Sequence, residues 1–86
     1  MHTAQLLSMA LNVARETGFQ IREELLEGAG GGHCLIRGQK WLLLDLTQPH
    51  QEQLEDVLDA LRSEPQLELT KVPRELVACL RRPKAA

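Results

Sequence analysis

From His33 to Leu46 the chain reads His-Cys-Leu-Ile-Arg-Gly-Gln-Lys-Trp-Leu-Leu-Leu-Asp-Leu, with apolar residues at both odd and even positions. Side chains of a β-strand point alternately to its two faces. The segment reads as a β-hairpin around Gly38-Gln39, a two-residue loop with glycine first, which suits the twist of paired strands. This loop sets Arg37 against Lys40, Ile36 against Trp41, Leu35 against Leu42 and Cys34 against Leu43. One face then carries Leu35, Leu42, Leu44 and Leu46, and the other Cys34, Ile36, Trp41 and Leu43. A sheet with one solvated side would alternate apolar and polar residues. The hairpin therefore requires cover on both faces, from helices on each or from helices on one and a partner on the other.

Helical periodicity frames this hairpin. Leu7, Ala10, Leu11 and Ala14 recur at helical spacing and predict a helix over residues 3–17, with Thr3 as N-cap and Gly18 just past its end. Residues 19–26 alternate, with Phe19, Ile21 and Leu25 opposite Gln20, Arg22 and Glu24, the pattern of an edge strand with one wet face. Gly28-Ala29-Gly30-Gly31-Gly32 links this strand to the hairpin, and three successive strands predict an antiparallel meander. Thr47-Gln48-Pro49 opens a second helix with the stripe Leu54, Val57, Leu58 and Leu61, and Ser63-Glu64-Pro65 stops it. Residues 66–70 offer a short strand through Leu67 and Leu69. Residues 73–80 read as a last helix with Leu76, Val77 and Leu80 inward. The expected fold is α+β in the order α-β-β-β-α-α: a three-stranded antiparallel meander with helices packed on it. The first two helices should cover the Leu42 side. Residues 1–80 form a single domain, and residues 81–86 form a flexible basic tail.

Composition narrows the function. Eighty-six residues make one domain, which buries about 60–65% of its unfolded surface. Phe19 and Trp41 are the only aromatic residues, too few for a base-stacking platform. The net charge of −2 gives no global basic field. The charge is uneven, however. Residues 51–68 hold Glu52, Glu55, Asp56, Asp59, Glu64 and Glu68 against Arg62, while residues 71–84 hold Lys71, Arg74, Arg81, Arg82 and Lys84 against Glu75. These two regions can attract each other within a chain or between chains, or each can form a solvated face. Two cysteines, Cys34 and Cys79, make no disulfide scaffold. The first residues lack a basic leader and no apolar run reaches membrane-spanning length, so the expected compartment is a reducing cytoplasm.

Candidate chemistry is thin. A phosphate loop needs a helix directly after its glycines, and here His33-Cys34-Leu35-Ile36 continues as a strand. His33 and Cys34 are adjacent and so point to opposite faces, and neither Cys-x-x-Cys nor His-x-x-x-His occurs. Cys79 lies near Arg81 and Arg82, but its place beside Leu76 and Leu80 points to burial rather than to a nucleophile. The alternatives to an interaction protein are a small enzyme or metal-binding protein with a site near the loop from Gly28 to Cys34 and His50, and nucleic-acid binding through the basic C-terminus.

The helix that follows the hairpin begins His50-Gln51-Glu52-Gln53-Leu54. Over residues 33–62 the order of strand, hairpin and proline-opened helix resembles the core of small zinc peptidases of the ImmA/IrrE type. Their motif is His-Glu-x-x-His, two histidines for zinc and a glutamate for water. In this chain Gln51 stands at the glutamate position and Leu54 at the second histidine position. Both differences remove chemistry. The resemblance therefore implies the peptidase shape without its reaction, and no catalytic residue is carried over. The reading is a non-enzymatic interaction or accessory module with no cofactor, self-associating through the sheet face of Cys34, Ile36, Trp41 and Leu43, with Trp41 as anchor.

Overall fold

The structure, a computed structural model, describes residues 2–82. Helix α1 (Thr3–Glu16) is followed by strands β1 (Gln20–Glu24), β2 (Gly32–Ile36) and β3 (Gln39–Asp45), helix α2 (His50–Arg62), a short 3-10 turn (Leu69–Lys71) and helix α3 (Arg74–Arg81). The α+β class and the element order are as expected. The sheet is not. It is mixed, with strand order β1-β3-β2, and β1 runs parallel to β3 while β2 runs antiparallel to it. The meander is thus corrected. The strand with four consecutive apolar residues, Trp41 to Leu44, takes the centre, as a strand buried from both edges should. The polar strand β1 is left at one edge.

The hairpin turns one residue earlier than expected. Arg37 and Gly38 form the loop, with φ of 51° and 79°. Positive φ at both central residues is the turn whose twist matches paired strands, and glycine sits second in it rather than first. Cys34 now pairs with Trp41, Leu35 with Lys40 and Gly32 with Leu43. The register moves by two residues, so each side chain keeps the face assigned to it.

Helices α1 and α2 pack on each other, α1 over β1 and α2 over β2 and β3. The core lies between them and the sheet: Leu7, Ala10 and Val13 from α1, Leu54, Val57, Leu58 and Leu61 from α2, and Leu42 and Leu44 from β3. Leu35 and Leu46, expected in this layer, are instead 69% and 42% exposed, because they lie at the strand ends and edge where the helices do not reach. Leu25, expected inward, is also exposed, since β1 ends at Glu24. Helix α3 packs against α1 and α2 and seals that layer with Leu76 and Cys79.

Other boundaries shift for local reasons. His2 rather than Thr3 is the N-cap of α1, and its N–H donates to Gln5 Oε1 at 3.1 Å. Pro49 caps α2. Residues 66–70 contain no strand, and the chain makes a 3-10 turn at Leu69–Lys71 on its way to α3. Arg81 belongs to α3 rather than to a tail. Residues 83–86, the rest of the expected tail with Lys84, lie outside the described residues.

Candidate functional site

Cys34, Ile36, Trp41 and Leu43 stand on one side of the sheet, opposite Leu42 and Leu44. Among the described residues no helix packs on that side. Trp41 and Leu43 are half-buried on the central strand, and Cys34 and Ile36 are exposed on β2. From β1, Gln20 lies beside Trp41 and Arg22 beside Leu43, so the face is apolar over β3 and β2 and polar along β1.

The upper end of this face is built by the glycine-rich crossover. To pass from β1 to the far edge, residues 25–31 arch over the end of β3 and close on Asp45, which is fully buried. Its Oδ1 accepts from Leu26 N–H at 3.1 Å, Thr47 N–H at 3.0 Å and Thr47 Oγ1 at 2.6 Å, and its Oδ2 from Gly30 N–H at 3.1 Å. Burial pushes the carboxyl up, but these hydrogen bonds outweigh it and bring its pKa from 3.8 to about 2. Gly28 N–H donates to Thr47 Oγ1 at 2.8 Å and Gly31 N–H to Asp56 Oδ2 at 3.3 Å. The loop amides that a phosphate would need are therefore already engaged by protein oxygens. At Gly31 the chain passes so close to β3 that a Cβ would sit 2.2 Å from the Leu43 carbonyl oxygen. Asp45 was not singled out in the sequence. An Asp-x-Thr after an apolar strand is the one signal that pointed to it, since such side chains bond local backbone.

Beneath the crossover, at the β2 edge, is a shallow cleft of roughly 250 Å³ lined by Leu26, Gly30, Gly31, Gly32, His33, Cys34 and Leu43. On the helical side Lys40 closes the other end of the molecule. Its ammonium donates to Thr17 O at 2.6 Å and Glu64 Oε2 at 2.5 Å, and lies 5.0 Å from the Phe19 ring centroid. The Lys40 partner holds the Glu64 carboxyl below its ordinary value, against burial, which pushes it up.

The remaining candidates are dispersed. His33 and Cys34 point to opposite faces, His50 is exposed at the start of α2, and Cys79 is buried in α3. Among the described residues no group of three or more His, Cys, Asp or Glu side chains is placed to hold a metal. Gln51 is exposed and Leu54 is 1% exposed in the core, so this helix turns packing residues inward where the peptidase motif would have its second histidine. The basic C-terminal residues meet acidic neighbours within the chain: Lys71 lies 3.5 Å from Glu68 and Arg82 3.9 Å from Glu55. Arg62 donates to Cys79 O at 3.0 Å and Leu80 O at 3.2 Å, satisfying carbonyls at the end of α3. None of the described helices is long and apolar enough to cross a membrane. Comparison with protein-family models, curated proteins and solved structures finds no match to this chain.

Proposed function

We propose that this chain is a non-enzymatic interaction module that self-associates through the side of the sheet that its own helices leave open. One observation carries the reading: Trp41, Leu43, Cys34 and Ile36 share that side, and no described helix lies over them. Tryptophan is enriched at the centres of interfaces, and a second protein surface would remove these side chains from water. The two unpaired thiols, Cys34 and Cys79, fit a reducing compartment, and the reading places the protein in the cytoplasm. The resemblance of residues 33–62 to ImmA/IrrE-type peptidases enters this reading as an expected shape alone.

Analytical ultracentrifugation over a wide concentration range tests it. The expected result is a concentration-dependent mass that approaches twice that of one chain, with Trp41→Ala shifted toward monomer. A wild-type chain that sediments as a monomer at every concentration would overturn the reading.

A further inference from the structure

We infer that the partner is a second copy that adds along the outer edge of β2, antiparallel and two-fold about Cys34, so that Ile36 of each chain enters the cleft at Gly32 of the other. The inference rests on the self-association proposed above and moves its contact to the rim of the open side, where Cys34, Ile36 and Leu43 are engaged and Trp41 is flanked rather than covered.

The two edges of the sheet are unlike. β1 presents Arg22, Glu23 and Glu24, and Arg22 pairs with Glu24. Charged side chains of this kind guard an edge against pairing with another chain. β2 reads Gly32-His33-Cys34-Leu35-Ile36, with no Lys, Arg, Asp, Glu or Pro, and its last four residues are exposed, Leu35 at 69% and Ile36 at 50%. Its outward backbone groups form an unguarded template for another strand.

Self-pairing about Cys34 sets Leu35 against the second copy's His33 and Ile36 against the second copy's Gly32. Gly32 is where the molecule has room, since a Cβ built there meets nothing within 4 Å. It also borders the cleft of roughly 250 Å³ that ends on Leu43. Ile36 lies two residues beyond the axis and Gly32 two residues before it, so one rotation places both isoleucines in both clefts. This self-complementarity is what a two-fold interface demands. Moving the axis to His33 or Leu35 would set Ile36 against Gly30 or Cys34 and lose the fit. Arg37, at the hairpin tip, comes level with the second copy's Gly31, whose N–H is held by Asp56 on the acidic helix α2. A guanidinium is thereby brought to a carboxylate-rich surface, and no like charges face each other along the strands.

Cys34 lies on the axis and serves as the reporter. Antiparallel neighbours hold their Cα atoms about 4.5–5.5 Å apart, within disulfide reach. The full chain is treated with diamide, which takes up two protons and two electrons as two thiols become one disulfide, and peptide mapping by mass spectrometry identifies the joined sulfurs. The expected product is a Cys34–Cys34 link between two chains. Gly32→Val fills the cleft while adding its Cβ to open space in the single chain. Leu35→Lys puts a charge on the edge at a solvent-exposed position. Each is expected to keep the wild-type circular-dichroism spectrum, to raise the dimer dissociation constant at least tenfold and to slow the cross-link at least tenfold. A dimer that forms no Cys34–Cys34 link, or that keeps its affinity in Leu35→Lys, overturns the edge geometry and leaves self-association through the face standing. A wild-type chain that is monomeric throughout overturns both.

Discussion

On one side of the sheet β3 buries Leu42 and Leu44 to 0% and 2% exposure against two helices, while on the other the same strand leaves Trp41 and Leu43 half covered. The two sides are of similar apolarity, so hydrophobicity alone does not decide which is buried within the chain. Supply decides it. The described residues form two helices with long apolar stripes and a short third one, and all three lie on one side: α3 caps the α1–α2 layer instead of crossing to Trp41. Among the described residues no further element lies over the second face. The helical side therefore sets the stability of the chain, and the open side is the surface on which the proposed self-association rests.

The comparison breaks most visibly in the core. Leu58→Ala, in a fully buried position of α2, is expected to cost about 2–5 kcal/mol, a large part of the stability of a small domain, read by urea denaturation. Next comes a contrast between neighbouring glycines. Gly31→Ala drives a Cβ into the Leu43 carbonyl and should cost about 1–3 kcal/mol, whereas Gly32→Ala, facing open space, should stay within about 0.5 kcal/mol.

Two carboxylates, Asp45 under the crossover and Glu64 beside Lys40, give a pH signature. Asp45 and Glu64 both have folded pKa values below their unfolded ones, so their contribution is present above about pH 4.5 and is lost as the pH falls toward 2. Asp45→Asn should lower stability at neutral pH and flatten the fall in melting temperature between pH 4 and 2. An unchanged profile would show that the carboxylate does not anchor the loop. Trp41→Ala, on the half-buried side, should cost the monomer only about 1–2 kcal/mol while weakening self-association. The smallest effect is expected at the exposed pair Lys71 and Glu68, where Lys71→Ala should stay within about 0.5 kcal/mol in the same denaturation experiment.

Much of this architecture could be read from local pattern. The stripe Leu54, Val57, Leu58 and Leu61 gave α2, and alternation assigned Leu42 and Leu44 to one face and Trp41 and Leu43 to the other. The face assignment survived even though the hairpin loop proved to be Arg37-Gly38, because a shift of two residues preserves parity. The strand order was not legible in the same way. A meander and a crossover share the same local alternation, and they differ only in where residues 25–31 travel. That path is chosen by the carboxylate of Asp45, which meets Leu26 and Gly30 across 19 and 15 residues of chain. The candidate site was legible as a set of residues. Its cleft was not, because the cleft exists only where the crossover passes over β3.

By itself the sequence determined the elements, their apolar faces and the mismatch between one supply of helices and two oily sides, since each of these follows from periodicity along a few residues. Only the tertiary structure decided that β3 is central and parallel to β1, that all three helices gather on the Leu42 side, and that the neutral edge of β2 lies beside a hole at Gly32. Those outcomes depend on contacts between residues distant in the chain, whose geometry no local spacing encodes.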